Sequence, residues 1–493
     1  MNYYSTRNAQ VKVSASQAIA GGLAPDGGLY VPSELPKLTL DEIMSMCPMD
    51  YRGRAAHIIA KFLPEYSREE IEGFVTAAYG DNYDDPAIAP LRFTDEKTAF
   101  LELWHGPTCA FKDMALQILP HFLTASLKKC GEKRKVCILV ATSGDTGKAA
   151  LEGFADVPDT RIAVFYPNDG VSDVQKLQMA TQSGENVLVS AVKGNFDDAQ
   201  AGVKRIFGDK PFAENLSQRG WFLSSANSIN WGRLLPQIVY YFSAYCDYVN
   251  SKNIKPGDKI DFAVPTGNFG DILAGWYAKE MGLPTGRMIC CSNENNVLTD
   301  FLHTGTYDRN RPFHTTISPS MDILVSSNLE RLLYAVSRSD VQTAGYMQEL
   351  SEKGKYTVDN KIKAVLASDF ASGCCSDRDT RDAIGEMYRL KGYLMDTHTA
   401  VAYKVLCDYR SMLINKTPTV VVSTASPFKF CDSVLAALGK DSDAPGTELI
   451  DELARLTGLK APAALAGLKD KKVRFTGCTE SEEMKKVVDG FLK

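Results

Sequence analysis

The chain has 493 residues, of which 44% are apolar and 23% are charged, and its 55 basic and 60 acidic residues give a net charge of −5. This composition is typical of a soluble globular protein, and the length predicts two or three domains. The mild acidity argues against nucleic acid as the main partner, and the lack of a long apolar run argues against a membrane span.

The cysteines and the N-terminus indicate the compartment. The twelve cysteines lie mostly inside apolar stretches, there is no CxxC, and the adjacent pairs Cys290–Cys291 and Cys374–Cys375 lack a second ligand pair at zinc-site spacing. The N-terminus lacks the basic and then apolar layout of a signal peptide. We therefore expect a cytoplasmic protein with free thiols and no metal site.

The predicted elements divide the chain into an N-terminal subdomain and two sheet-centred lobes. Residues 1–95 combine a glycine-rich start (GGLAPDGGLYVP) with two helical stretches (LDEIMSMC and REEIEGFVTAAYG). Short apolar runs then alternate with helical stretches, first KVCILVA, RIAVFYP, NVLVSAV and WFLSSAN, later KIDFAVP, RMICCSN and TPTVVVS. This alternation predicts an α/β protein with parallel strands. We expect a smaller domain over 135–249 and a large domain over 96–134 and 250–493.

The segment HGPTCAFKDMALQIL contains a candidate reactive amine. Lys112 follows a Gly-Pro turn at the start of an apolar helix, with Phe111 and Met114 beside it. A lysine in a desolvated pocket has a lowered pKa and can form a Schiff base. On this segment alone, an exposed lysine at a helix start is the simpler interpretation. Pro120 is expected to kink or restart the helix.

The segment VATSGDTGKAALE follows a predicted strand. It presents hydroxyl and N–H groups at a helix N-terminus, which suits a carboxylate. It matches a P-loop only in part, because Thr142 stands where that motif has glycine and Ala149 where it has serine or threonine. A nucleotide-binding protein that uses this turn remains an alternative, as does a tight turn without a ligand.

Two later strands also end in loops of unusual composition. In AVPTGNFGD the strand ends at Pro265, and a glycine-containing loop leads into a helix that begins near Asp271. Successive N–H groups and the helix dipole favour a phosphate there. In VVVSTASPFKF the strand runs into Thr424 and its neighbouring serines, whose hydroxyls can bind a ligand heteroatom or cap the strand.

Together and in this order, the loops resemble the active-site segments of the tryptophan-synthase-β-like family of pyridoxal-phosphate enzymes (fold type II), and within it those of the threonine synthases. The resemblance covers nearly the whole chain. YYSTRN and GGLAPDGGLYVP resemble the N-terminal domain, HGPTCAFKD the Schiff-base lysine motif, and SGDTGKAA the substrate-carboxylate loop. SSANSINWGRLLPQ resembles a segment that contacts the substrate phosphate, and PTGNFGD resembles the cofactor-phosphate loop.

The resemblance implies a role for each matching residue. Lys112 would form the Schiff base with pyridoxal phosphate and move protons, and Thr424 would face the pyridine nitrogen. The cofactor phosphate would be held by Gly267, Asn268, Phe269, Gly270 and Asp271. The substrate would be held at its carboxylate by Ser143, Gly144, Asp145 and Thr146, and at its phosphate by Asn227, Ser228, Asn230 and Arg233. Many relatives have asparagine in place of Asp145, so its contact with the cofactor's 3′-oxygen stays open.

The implied reaction converts O-phospho-L-homoserine and water into L-threonine and phosphate, the last step of threonine biosynthesis, in a monomer or a homodimer. A phospholyase would share these loops but release a 2-oxo acid and ammonia. A serine/threonine dehydratase is disfavoured because its substrates lack a phosphate, and a non-catalytic relative is disfavoured because Lys112 is present. His398 is interpreted as a packing or capping residue.

Overall fold

The structure, a computed structural model, describes residues 1–142, 144–168, 171–413 and 416–493. The strands are β1 Tyr3–Ser5, β2 Lys12–Val13, β3 Tyr30–Pro32, β4 Leu91–Asp95, β5 Thr98–Glu102, β6 Lys135–Ala141, β7 Thr160–Pro167, β8 Val187–Val192, β9 Trp221–Ser224, β10 Ile260–Pro265, β11 Thr285–Ser292, β12 Thr306–Asp308, β13 Lys355–Thr357, β14 Phe370–Cys374, β15 Thr419–Ser423 and β16 Cys478–Thr479.

The α-helices are α1 Ala15–Gly21, α2 Leu40–Ser45, α3 Tyr51–Phe62, α4 Arg68–Ala78, α5 Asp113–Leu116, α6 Leu119–Lys129, α7 Asp145–Phe154, α8 Asp173–Ala180, α9 Phe196–Gly208, α10 Lys210–Gln218, α11 Trp231–Asn250, α12 Gly270–Met281, α13 Val297–Thr304, α14 Leu329–Ser337, α15 Asp340–Lys353, α16 Asn360–Asp369, α17 Asp377–Lys391, α18 Thr397–Leu413, α19 Cys431–Ala437, α20 Gly446–Thr457, α21 Ala463–Ala466 and α22 Met484–Phe491. Short 3-10 helices cover Pro319–Met321, Pro427–Lys429 and Gly467–Asp470.

Two sheets organise the molecule, and the predicted α/β class is confirmed. The larger sheet has the strand order β14-β11-β10-β15-β5-β4, in which only β4 runs antiparallel to its neighbour. The smaller sheet has the order β16-β8-β7-β6-β9 and is parallel throughout. Each apolar run that the sequence predicts as a strand forms one of these strands. Small antiparallel sheets are formed by β2-β1-β3 and by β12-β13.

The central strands of the larger sheet are apolar on both faces because helices cover both. In β15, Val420 and Val422 pack into the core that includes α11 and α12, whereas Val421 packs into the core on the side of α18. A parallel strand covered on both sides needs apolar residues at successive positions, which explains the unbroken VVV run.

The predicted interruption of the helix after Lys112 is also present. The chain forms the short α5 and then restarts as α6, with Pro120 in the first turn of α6. A proline is tolerated there because the first N–H groups of a helix have no partner inside the helix.

The N-terminal residues pack directly on the elements that carry the site. The Tyr3 ring packs against Trp231 of α11 in a tilted arrangement, with ring centroids 5.4 Å apart, and its hydroxyl donates to the Phe62 carbonyl. Arg331 of α14 donates from Nε to the carbonyl of Tyr30 in β3, at 3.0 Å. These contacts tie the N-terminal region to the beginning of α11 and to α14.

The C-terminal residues pair with the smaller sheet, although the sequence predicts that they belong to the large domain. Strand β16 pairs with β8 through Cys478 and Thr479, and α22 packs on α9. Conversely, α11 was assigned to the small domain but packs on α3 and α12. The predicted domain boundaries therefore remain a proposal, and β16 with α22 and α11 are the two parts of the chain that pack differently from it. In the described ranges, no helix is long and apolar enough to cross a membrane.

Candidate active site

Five loops with the predicted site residues each follow the carboxyl end of a parallel strand. They leave β5, β10 and β15 of the larger sheet and β6 and β9 of the smaller one. In open parallel sheets, ligands bind at these ends because the loops gather there. An ion pair between a residue after β6 and a residue after β15, described below, shows that the two groups of loops meet.

The Lys112 loop is fastened to the end of β15. The N–H of Phe111 donates to the carbonyl of Thr424 at 2.8 Å, and the N–H of Ser426 donates to the carbonyl of Cys109 at 3.1 Å. A β-bridge between Ala110 and Ala425 lies between these bonds. This short antiparallel pairing brings Thr424 close to Lys112 although 312 positions separate them in the sequence.

The environment of Lys112 favours its neutral amine. Its Nζ lies 4.2 Å from the centre of the Phe111 ring. Burial and the positive charge of Arg233 together lower the pKa of Lys112 to about 8, although Asp145 and Asp271 act in the opposite direction. A neutral amine near physiological pH is the form that attacks a carbonyl carbon.

Hydrogen bonds from a neighbouring segment hold the carbonyl groups of the loop after β10. Ser326 Oγ donates to the Gly267 carbonyl at 2.8 Å, and the N–H of Asn328 donates to the Asn268 carbonyl at 3.0 Å. A side chain at Gly267 would place its Cβ 2.7 Å from the Ser320 carbonyl oxygen. With its carbonyls held on one side, the loop can direct its N–H groups to the other.

The same loop leads into α12 without a side-chain cap. Phe269 adopts a left-handed conformation with φ 63°, and Gly270 begins the helix. Among the described residues, no side chain caps this N-terminus. Uncapped N–H groups at the start of a twelve-residue helix suit an anion.

His398, interpreted from the sequence as a packing residue, supports this loop indirectly. Its Nδ1 lies 2.8 Å from Asp396 Oδ2, and its Nε2 accepts a hydrogen bond from the N–H of Ser320 at 3.1 Å. Ser320 is the residue whose carbonyl lies against Gly267. His398 therefore positions the segment behind the loop.

Asp271, at the start of α12, is a buried carboxyl with an unusual set of partners. Its Oδ1 accepts hydrogen bonds from the hydroxyls of Tyr240 at 2.6 Å and Tyr241 at 2.8 Å, while its Oδ2 has no described partner. Burial raises the pKa of Asp271 to about 6, although the two tyrosines and Lys112 act against this rise. Its side chain thus faces α11 and the surroundings of Lys112.

The loop after β6 is an N-terminal helix turn built around Thr142. Thr142 Oγ1 accepts hydrogen bonds from the N–H groups of Gly144 and Gly147 at 3.0 and 2.9 Å. Thr146 is half-buried on the first turn of α7. The predicted ligand Ser143 lies outside the described residues. Lys148, which a P-loop would use for phosphate, is bonded instead to Glu152 at 2.7 Å and to Gln182.

The Asp145 carboxylate already binds two other side chains of the protein. Lys429 Nζ lies 2.7 Å from Asp145 Oδ1, and Gln175 Nε2 donates to the same oxygen at 2.8 Å. Burial raises the pKa of Asp145, but the Lys429 charge and these hydrogen bonds outweigh burial and hold the pKa below its ordinary value. Asp145 is therefore an anion, and the neighbouring N–H groups and hydroxyls are the ones available to a substrate carboxylate.

The loop after β9 presents a buried guanidinium. Arg233 is 3% exposed, and its Nη1 donates to the Ala226 carbonyl at 2.7 Å. In the described part of the chain its Nε and the hydroxyl of Ser225 have no partner, and no carboxylate pairs with it. Burial lowers the pKa of Arg233 to about 10. A buried cation without a protein anion marks a site for an anionic ligand.

The other three residues predicted for the substrate phosphate differ in availability. Asn227 is exposed and Ser228 is half-buried, and neither side chain is used by a described hydrogen bond. Asn230 instead caps α11, where its Oδ1 accepts from Gly232 N at 2.8 Å and its Nδ2 donates to the Ile19 carbonyl at 2.9 Å. Both ends of this amide are occupied, so Asn230 has a structural role in this arrangement.

Sequence reasoning missed Lys429 and Gln175. Lys429 lies in the ASPFKF segment after β15, which the prediction treated only as a strand end with hydroxyls. A lysine between two phenylalanines was the available signal, because a buried lysine needs an anionic partner. Nothing local to Gln175 distinguishes it from a surface residue of α8.

These residues fit pyridoxal phosphate. Lys112 supplies an amine of lowered pKa, and the loop after β10 supplies a close-approach glycine and an uncapped helix N-terminus for a phosphate. Thr424 supplies a hydroxyl beside Lys112 through the pairing of the two loops. No described cluster of His, Cys, Asp and Glu side chains could hold a metal ion.

Three families match successive parts of the chain. Residues 2–79 match the family "Threonine synthase N terminus", residues 95–368 match "Pyridoxal-phosphate dependent enzyme", and residues 399–488 match "Threonine synthase, C-terminal". The second match alone spans more than half of the chain.

Individual relatives extend this agreement. The human protein named threonine synthase-like 1 is 43% identical over 87% of the chain, which spans only 58% of that relative's length. The threonine synthase of Pseudomonas aeruginosa is 40% identical over 88% of the chain and 90% of the relative. The structure of the pyridoxal-phosphate-bound threonine synthase of Brucella melitensis superposes with a TM-score of 0.89 at 38% identity, covering 100% of this chain and 98% of that one. The chain belongs to the threonine synthase family of pyridoxal-phosphate-dependent enzymes.

Proposed function

We propose that the protein converts O-phospho-L-homoserine and water into L-threonine and inorganic phosphate. The observation that carries this proposal is Arg233, a buried guanidinium without a described anionic partner, whose charge acts on Lys112. A substrate that joins a phosphate to an amino acid would fill both positions. The relatives named threonine synthase support the same product.

Lys112 would hold the cofactor through its amine, and the loop Gly267–Asp271 would hold the cofactor phosphate. Thr424 would offer its hydroxyl to the cofactor's ring nitrogen; a neutral hydroxyl would not enforce protonation of the ring as a carboxylate would. When bound, pyridoxal phosphate supplies an electron sink for the negative charge that develops at the substrate α-carbon.

Lys112 moves the protons. It would remove the proton from the α-carbon of the substrate, and a β-proton would be lost next. The bond between the γ-carbon and the phosphate oxygen then breaks. Water would then deliver its hydroxyl to the β-carbon and its proton to the departing phosphate, and the two protons taken from the α- and β-carbons would return to the α- and γ-carbons. An amine with a pKa of about 8 can both accept and return a proton near neutral pH.

Two groups orient the substrate. Thr146, at the N-terminus of α7, receives the substrate carboxylate, with Ser143 as a further proposed ligand; Gly144 gives the turn its shape, because its N–H already donates to Thr142. Asp145 shapes this turn but does not bind the carboxylate, because it is itself an anion held by Lys429. Arg233, with Asn227 and Ser228 beside it, binds the phosphate and stabilises the charge that grows on it as it leaves.

The reaction is tested by product analysis. The purified protein, loaded with pyridoxal phosphate, is supplied with O-phospho-L-homoserine, and threonine, 2-oxobutyrate and phosphate are measured. We expect threonine and phosphate in equal amounts. A product that is mainly 2-oxobutyrate with ammonia would identify a phospholyase instead and contradict the proposal.

The cofactor attachment is tested separately. Borohydride reduction of the loaded protein followed by peptide mapping should place the pyridoxyl group on Lys112. A colourless loaded protein, or an adduct on another lysine, would contradict the assignment.

We also propose a reducing, cytoplasmic location. All twelve cysteines are unpaired, including the adjacent Cys290 and Cys291 within the buried strand β11. Unpaired thiols on this scale are typical of reducing compartments. Expression with a fluorescent tag in the native host would test this location.

A further inference from the structure

We propose that Lys429 is a positioning residue for the reaction: it ties the Asp145 carboxylate to the turn that carries Lys112 and thereby fixes the arrangement of charges around the Lys112 amine. This inference rests on the proposed function, because it assigns Lys112 as the group that moves protons.

The contacts of Lys429 are made entirely inside the protein. Its side chain is 0% exposed, and its Nζ lies 2.7 Å from Asp145 Oδ1 and donates to the Thr108 carbonyl at 2.9 Å. Asp145, 284 positions earlier, begins α7 of the smaller lobe. The pair thus joins the loop after β15 to the loop after β6.

The Thr108 carbonyl gives the pair a direct link to the Lys112 loop. The N–H and the hydroxyl of Thr108 both donate to Asp113, at 2.8 Å each, and Asp113 directly follows Lys112. Lys429 therefore contacts both the Asp145 carboxylate and the turn that carries Lys112.

The two charges of the pair act on Lys112 in opposite directions. The Asp145 carboxylate stabilises a positive charge on Lys112, whereas the Lys429 ammonium disfavours it. Gln175 also holds Asp145, so the carboxylate stays in place when its charge partner is removed. Substituting one residue of the pair at a time therefore separates the effects of the two charges on Lys112.

The test uses the full-length, cofactor-free protein and follows the protonation of Lys112 by the pH dependence of its labelling with an amine-acylating reagent, read by mass spectrometry. Lys429→Met should raise the pH midpoint of Lys112 labelling by about one unit, because the Lys429 charge no longer opposes a positive charge on Lys112. Asp145→Asn should lower the midpoint by a similar amount. The double variant Asp145→Asn/Lys429→Met should lie between the two single variants and unfold at a higher temperature than either.

Lys148→Met is the matched control. Lys148 is also buried and pairs with a carboxylate on α7, Glu152 at 2.7 Å, but its described side-chain partners are Glu152 and Gln182, and it is not among the charges that act on Lys112. It should lose thermal stability without moving the Lys112 midpoint.

Midpoint shifts of the same sign in both single variants, or no shift in either, would overturn the proposal. Because the labelling needs neither substrate nor turnover, that failure is separate from a failure of the proposed reaction, which the product analysis reports.

Discussion

Replacing Arg233 by methionine should stabilise the cofactor-free protein. The guanidinium is 3% exposed and has no described anionic partner, and its pKa falls from 12.5 to about 10. This fall corresponds to about 3 kcal/mol against the buried charge. Methionine fills much of the same volume but loses the hydrogen bond to Ala226, which is worth about 1 kcal/mol. We therefore expect a net gain of about 2 kcal/mol in the free energy of unfolding.

The same substitution should remove the site's affinity for phosphate. Wild-type protein should gain about 1.4 kcal/mol of stability for each tenfold excess of inorganic phosphate over its dissociation constant, and Arg233→Met should gain almost nothing. For the loaded enzyme we expect kcat/KM with O-phospho-L-homoserine to fall by about 100-fold or more, since a lost charge-assisted pair costs several kcal/mol. Denaturant unfolding with and without phosphate, and steady-state kinetics, measure these effects.

Arg331 provides the matched control. It is equally buried, and its pKa is also lowered to about 10, but its guanidinium donates to Tyr30, Ile229 and Asn328. Arg331→Met should therefore destabilise the protein, opposite in sign to Arg233→Met, because it leaves those acceptors without a donor. If both variants destabilise, or if Arg233→Met still responds to phosphate, the assignment of Arg233 to an anion site is refuted.

Three further predictions follow from the same geometry. Reaction of Lys112 with pyridoxal phosphate, trapped by borohydride in the cofactor-free protein, should accelerate as pH rises through about 8, because only the neutral amine reacts; a midpoint near 10.5 would contradict this. Gly267→Ala should weaken pyridoxal phosphate binding about tenfold or more in an equilibrium titration, because the new methyl group meets the Ser320 carbonyl. Gly73→Ala is the control and should leave this binding unchanged, because its methyl group faces open space. Burial raises the pKa of Asp271 to about 6, so this carboxyl binds its proton more tightly in the folded state than in the unfolded state. The free energy of unfolding should therefore decline as pH rises through about 6, and denaturant unfolding of Asp271→Asn should lack this decline.

The sequence alone determined the fold class and the position of most of the site. Apolar runs such as TVVVS are covered on both faces, so the strand pattern is visible without tertiary information. The loops with Lys112, Gly267 and Thr424 are recognisable because each follows such a strand and has a local composition unlike an ordinary turn. Parallel strands then bring their carboxyl ends to one edge of a sheet.

Only the tertiary structure decided which polar groups are already satisfied. Asn230 looked like a ligand, but its amide is used by Gly232 and Ile19. Arg233, three residues later, has no such partners for its charge. The two cannot be distinguished from local pattern, because the partner of Asn230 is a carbonyl of α1, 211 positions away.

The same reason applies to Lys429 and to the C-terminus. Asp145 meets Lys429 because the smaller sheet packs with its strand ends facing those of the larger one, and β16 joins β8 because the chain returns to the smaller lobe after forming the larger. Local propensity and periodicity reach only a few residues along the chain, whereas these contacts depend on how whole layers pack. The sequence therefore located Lys112 and its loops, and the packing of the two lobes set the charges around them.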